Sequence, residues 1–211
     1  MIIFVMVWLI SLLFCLLYKI IYSIKEPFLN KNKQIILLGD SILNNSNYVD
    51  TKDTVFYQLQ QLAKNSTIIM KAEDNAKLVN LDNQYSSLLE YNNNNTYIVI
   101  SIGGNDILQL TNKSSQFNEL INEYKEEITL LHSKLPKANI LLVNLYYPID
   151  TRFSIYKNFI TKWNQFISGM GYSVIHLDTL LVDKSDIVSS IEPSPSGSKK
   201  IAKAILKTIN K

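Results

Sequence analysis

A three-layer α/β/α domain with about five parallel strands is the fold this chain predicts. Short apolar runs alternate with longer stretches of helical periodicity, and several of the runs are apolar on both faces. Strands buried on both sides read in this way because helices cover both faces of a parallel sheet. In such sheets ligands bind beyond the carboxyl ends of the strands, so the turns after the first and third runs are where function is expected.

The chain opens on an apolar block. Met1 to Tyr18 carries no charged side chain, and after Lys19 the apolar character continues to Ile24. Roughly 18 to 24 residues suffice to cross a hydrocarbon core of about 30 Å. Residues 1–24 are therefore expected to form a single-pass transmembrane anchor. A cleaved secretory signal needs a basic n-region and a small-residue cleavage site, and neither is visible. Lys19, Lys25, Lys31 and Lys33 follow the block with no basic side chain before it, which places the remaining domain on the cytoplasmic side. Residues 25–33 (KEPFLNKNK) read as a polar linker, and residues 34–211 as the domain.

Within that domain, QIILLG (34–39) is the first strand, ending on Gly and the turn-forming Asp-Ser. A helix is predicted over 53–64, capped by Thr51 or Asp53. STIIMK (66–71) is the second strand, 76–91 a helix, and TYIVISI (96–102) the third strand. A long amphipathic helix over 115–135 stops before Pro136, its apolar stripe read as core in preference to a partner surface. ANILLVNLY (138–146) is the fourth strand, 153–170 a helix, YSVIHLD (172–178) the fifth strand, and 194–209 a closing helix.

Composition excludes several functions. The net charge is +3, with no basic patch interleaved with aromatics, so nucleic-acid binding is not expected. Cys15 is the single cysteine and His132 and His176 the two histidines, which leaves no disulfide framework and no metal-ligand spacing. Neither G-x-G-x-x-G nor a Walker sequence is present, which argues against a nucleotide binder. No cofactor and no metal are expected. Asn-X-Ser/Thr sequons begin at Asn44, Asn65, Asn94 and Asn112, as chance provides in so Asn-rich a chain.

Two loops carry the candidate chemistry. Gly39-Asp40-Ser41 follows the first strand, and a Ser on a tight strand-to-helix turn projects its hydroxyl above the sheet edge, near backbone N–H groups. Taken alone, the same residues also read as a helix cap. Gly103-Gly104-Asn105-Asp106 follows the third strand. There the glycines permit close backbone approach and the Asn amide can donate to developing negative charge. Taken alone, this is equally a Gly-rich turn with Asx capping.

Together, GDS and GGND in this order at the ends of buried strands resemble the SGNH (GDSL-like) hydrolases, over essentially all of residues 34–211. The resemblance implies the family's three-layer, flavodoxin-like fold and a serine esterase acting on acyl-ester or lipid-like substrates. It implies Ser41 as nucleophile, with the Ser41 N–H, a Gly N–H and the Asn105 side chain as oxyanion hole. The family's Gly-bearing second block here reads Asp74-Asn75-Ala76, so Asn75 is expected in the Gly position, where its backbone N–H survives the exchange. The family's last block, Asp-X-X-His-Pro, reads Ser189-Ser190-Ile191-Glu192-Pro193, with Glu192 in place of the His and Ser189 in place of the Asp.

Two readings of that exchange stand open. Glu192 serves as a weaker general base, which requires burial to raise its pKa from near 4. Alternatively the triad is broken, and the chain is a degenerate binding or scaffolding protein at the membrane. His176, with Asp178, Asp183 or Asp186 as partner, is a further candidate base.

Overall fold

The computed structural model of the chain describes residues 32–110 and 114–211. The expected anchor over 1–24, and all but the last two residues of the linker, lie outside the described residues. Among the described residues no helix is long and apolar enough to cross a membrane.

Residues Gln34–Lys211 form one compact unit. Its main sheet contains β1 (Lys33–Gly39), β2 (Ser66–Met70), β3 (Thr96–Ser101), β4 (Asn139–Val143) and β5 (Ser173–Ile175). The strand order is β2-β1-β3-β4-β5, and the β1–β3, β3–β4 and β4–β5 pairs are parallel. Ile35 to Leu38 and Ile98 to Ile100 are fully buried, as expected for central strands covered on both faces. The order reverses between β1 and β3. This is the switch point, and the GDS and GGND loops leave the sheet there side by side.

The helices are α1 (Val55–Leu62), α2 (Leu81–Tyr85), α3 (Gly104–Leu108), α4 (Ser114–Lys134), α5 (Lys157–Gly169), α6 (Leu177–Leu180) and α7 (Pro195–Ile209). α1, α2, α4, α5 and α7 fall where helices were expected, while the short α3 and α6 were not expected. α1 packs on α7, while α2 and α5 pack on α4. The α4 stripe Phe117, Leu120, Tyr124, Ile128 and Leu131 is buried, so its apolar face is core. Tyr124 meets the Trp163 ring edge-on at 4.9 Å. A two-stranded antiparallel hairpin, β6 (Ile187–Val188) and β7 (Glu192–Pro193), precedes α7.

Where elements depart from expectation, a polar side chain accounts for it. α1 is capped by Thr54, whose Oγ1 accepts from Tyr57 N, and by neither Thr51 nor Asp53. The helix expected over 76–91 breaks into a 3₁₀ turn at Leu78–Asn80, α2, and a second turn at Leu89–Tyr91. At its start Asp106 Oδ2 accepts from Leu78 N, and Asn80 Oδ1 accepts from Lys77 N. β4 ends at Val143, and beyond it both backbone groups of Leu145 pair with the Asn164 amide. β5 is only three residues long, because Asn144 Oδ1 takes Leu177 N and Asp178 N and starts α6 in its place. After Ser41 the chain makes one turn, with Leu43 N and Asn44 N both bonding Asp40 O, and only a 3₁₀ turn at Thr51–Asp53 intervenes before α1.

Candidate active site

Gly39 fixes the start of the Ser41 turn. Its φ is +120°, and a Cβ there would lie 1.6 Å from Ser101 O, so only glycine brings β1 this close to β3. Both Gly39 backbone groups are held by the buried Gln84 amide, at 2.7 Å and 2.9 Å. Asp40 N then donates to Ser101 O at 2.8 Å. Ser41 comes next, 7% exposed, at the wall of a cavity.

The cavity combines a few polar side chains with a mainly apolar lining. Asp40, Ser41, Asn105, Tyr146 and Glu192 supply the polar side chains, while Ile42, Ile107, Leu108, Leu145, Ile160 and Ile191 are among the apolar ones. Ser41 Oγ donates to Glu192 Oε1 at 3.2 Å. The second carboxylate oxygen, Oε2, is buried and has no hydrogen-bond partner among the described residues. Burial raises the Glu192 pKa to about 7, the Asp74 charge adds to that rise, and the bond from Ser41 opposes it. Burial likewise raises Asp40 to about 8, with Glu192 contributing, against the opposing bonds from Ile42 N and Ser101 Oγ. Two carboxyl groups that resist ionisation therefore line one cavity, and one of them, Glu192, holds the serine hydroxyl.

The third strand delivers Asn105. Gly103 turns the loop with φ +103°, where a Cβ would strike the Trp163 ring at 2.4 Å, while Gly104 leaves ordinary contact distances. The close approach is thus at the first glycine. Asn105 Nδ2 donates to Ala76 O at 2.9 Å, which leaves its second N–H for another acceptor. The segment 72–76 lies against the Ser41 turn, because Glu73 N donates to Gly39 O and Asn44 Nδ2 to Ala72 O. Asn75 sits in this segment at φ +59°, the left-handed region that Asn tolerates better than most residues. Its side chain is exposed and does not line the cavity. Among the described residues, neither Ser41 N nor Asn75 N donates to a protein acceptor. Both N–H groups are left for another oxygen.

The other candidates lie elsewhere. His176 caps α6 outside this cavity, with Nδ1 3.3 Å from Asn144 Nδ2 and 3.8 Å from Asp178 Oδ1. His132 meets the Tyr172 hydroxyl on the surface. Asp186 and Asp183 both pair with Lys200, at 2.7 Å and 3.2 Å. Ser189 occupies the hairpin turn at φ +49° and does not line the cavity.

Sequence reasoning passed over three amides. Gln84 falls in the stripe 81, 84, 85, 88 of buried positions, and Asn164 in the stripe 160, 163, 164, 167. A polar residue on a core face was the available signal, since a buried amide needs partners. Asn45, wholly buried beyond the GDS turn, offered no periodicity to mark it.

No protein-family model matches the sequence, and no curated protein does either. Solved structures do match. A lipolytic protein of the G-D-S-L family from Veillonella parvula superposes with a TM-score of 0.70 at 17% identity, over 85% of this chain and 99% of that one. The chain has the SGNH-hydrolase fold. A lipase/acylhydrolase from Enterococcus faecalis shares this fold, with a TM-score of 0.64 and 16% identity over 84% of this chain and 95% of its own. So does the esterase EstA from Pseudoalteromonas sp., with a TM-score of 0.63 and 16% identity over 85% and 97%.

Proposed function

We propose that the chain is a serine esterase that cleaves acyl esters through Ser41, with Glu192 as general base. The observation that carries this reading is the bond from Ser41 Oγ to a buried Glu192 carboxylate whose pKa stands at about 7. An ordinary carboxylate is too weak a base for a hydroxyl. One that titrates near neutrality is matched to the task, as an imidazole is.

The chemistry follows from the placement. Ser41 Oγ attacks the ester carbonyl and passes its proton to Glu192 Oε1. The carbonyl oxygen becomes an oxyanion that accepts from Ser41 N, Asn75 N and the second N–H of Asn105 Nδ2. Glu192 returns the proton to the departing alkoxide, leaving an acyl-serine and a free alcohol. Water then attacks the acyl-serine, giving its proton to Glu192. The intermediate collapses to the free carboxylic acid, and Glu192 returns the proton to the departing Ser41 Oγ, restoring the hydroxyl and the carboxylate. The apolar wall from Ile107 to Ile191 suits the acyl portion of the substrate. Lipase and esterase neighbours share the fold, which adds support of a general kind.

Asn105→Ala is expected to lower kcat by about 10²- to 10³-fold, the usual cost of one oxyanion donor. Steady-state hydrolysis of a p-nitrophenyl ester checks this, and an unchanged kcat would remove Asn105 from the mechanism. The charge-free run at the amino terminus supports attachment to a membrane, with the hydrolase domain on the cytoplasmic side. Expressed in cells, the chain should stay in the membrane pellet after alkaline carbonate washing. Release into the supernatant would count against an anchor.

The second reading, a binding module that lost catalysis, draws on the missing His. It leaves unexplained why a buried, half-satisfied carboxylate is held against a serine.

A further inference from the structure

We propose that Asn45 and Tyr146 are positioning residues that clamp the Glu192 strand against the nucleophile turn and so set the Ser41–Glu192 separation. The inference rests on the esterase reading above. It concerns the two carbonyl groups on either side of Glu192, each gripped by a side chain from a different part of the sheet.

On one side, Asn45 Nδ2 donates to Pro193 O at 3.0 Å and to Ser198 Oγ at 2.6 Å. Asn45 Oδ1 accepts from Val55 N at 3.1 Å, so one wholly buried amide ties β7, α7 and α1 together. Asn45 lies four residues after Ser41, just beyond that turn. Moving Pro193 away from Ser41 therefore means breaking bonds out of reach of water. On the other side, the buried Tyr146 hydroxyl donates to Ile191 O from the segment that follows β4.

The hairpin needs such outside support. β6 and β7 pair through only two residues each, and two-stranded ladders are marginal by themselves. The turn between them holds Ser189 and Ser190 at φ +49° and +74°, conformations that non-glycine residues keep only when their surroundings impose them. The Ser41–Glu192 bond leaves little slack as well. At 3.2 Å it is already longer than the roughly 2.5–3.0 Å usual between oxygens, and a few tenths of an ångström outward would lose it.

Residues that merely stabilise the fold would change thermal stability and leave the surviving enzyme's chemistry alone. The clamp predicts a different signature. Burial holds the Glu192 pKa up and the bond from Ser41 lowers it, so losing that bond while Glu192 stays buried moves the activity midpoint to higher pH. The other ionisable groups that act on or face Glu192 are Asp40, Asp74, Tyr48 and Tyr146, and the first three stay in place in the variants below. The Tyr146 phenol, held well above its ordinary range by burial, is uncharged across the titration range of Glu192, so its exchange for Phe removes no charge.

The test uses the 211-residue chain in detergent, as wild type, Tyr146→Phe and Asn45→Ala. kcat and KM for a p-nitrophenyl ester are measured across the titration range of Glu192, alongside thermal unfolding. Each variant is expected to lose about 10- to 100-fold in kcat, as small misplacements of reacting groups do, with KM within about twofold and an alkaline shift of the midpoint. Tyr146→Phe removes one hydroxyl and decides the matter alone if Asn45→Ala fails to fold. An active wild type with Tyr146→Phe unchanged in kcat and midpoint overturns the clamp and leaves the esterase reading intact. A folded wild type with neither turnover nor serine labelling overturns both.

Discussion

Ser41→Ala is expected to abolish both ester hydrolysis and labelling by a fluorophosphonate probe. Removing the nucleophile of a serine hydrolase costs on the order of 10⁴- to 10⁶-fold, the residue being whatever oxyanion stabilisation and binding still provide. No other side chain in the cavity is placed to take over. Among the described residues, the only other hydroxyl lining it belongs to Tyr146, whose proton is held well above the ordinary phenol range by burial, and further by the Glu192 and Asp40 charges. Stability should change little at mildly acidic pH, where Glu192 is neutral, so the loss is assignable to chemistry. The measurement is gel-based probe labelling with parallel turnover of a short-chain ester. Labelling that persists in the variant would place the nucleophile elsewhere. A folded wild type that neither labels nor turns over would favour the binding module, and the search would move to partners.

The contrast between legible and hidden features has a physical basis. β1 and β3 were readable because a strand covered on both faces must be apolar throughout, and their ends because Gly39 and Gly103 occupy backbone conformations that other residues avoid. Ser41 and Asn105 were expected there from the pairing of the two loops and the family resemblance it carries, since either loop alone also reads as a cap or a turn. Glu192 was flagged by its place before Pro193, yet nothing local foretells its raised pKa. That depends on burial and on Asp74, 118 residues earlier in the chain (192 − 74 = 118). The strand ends at Val143 and Ile175 came earlier than the apolar pattern suggested. Asn164 and Asn144 satisfy backbone groups there that the sheet would otherwise pair, and an amide's choice of backbone partner leaves no mark on hydrophobic periodicity. The same limit hid the grip of Asn45 and Tyr146 on the Glu192 strand, which joins residues 148 and 45 positions apart.

Glu192→Gln is the second substitution of large effect, and it should act on activity and stability in opposite directions. Gln keeps an acceptor for the Ser41 hydroxyl at nearly the same volume but cannot take its proton. kcat/KM should fall by about 10³-fold or more, and the wild type's rise with pH, centred near the Glu192 pKa of about 7, should flatten. The stability sign follows from linkage. The folded-state pKa of Glu192 is raised above its ordinary 4.5, so its contribution to stability is fully present below about 4.5 and is lost as pH rises through about 7. Gln does not titrate, so the variant should gain on the wild type between those limits, by about 2 kcal/mol at mildly alkaline pH. Asp40 strengthens the effect, because it loses an anionic neighbour and its own raised pKa relaxes downward. Urea unfolding at acidic and alkaline pH, with hydrolysis measured on the same samples, checks both halves. A carboxylate that weakens the fold at working pH and is nonetheless held against a serine fits a catalytic group, since active sites commonly trade stability for chemistry. If Glu192→Gln is more stable and still fully active, Glu192 is not the base, and the proton of Ser41 leaves by another route.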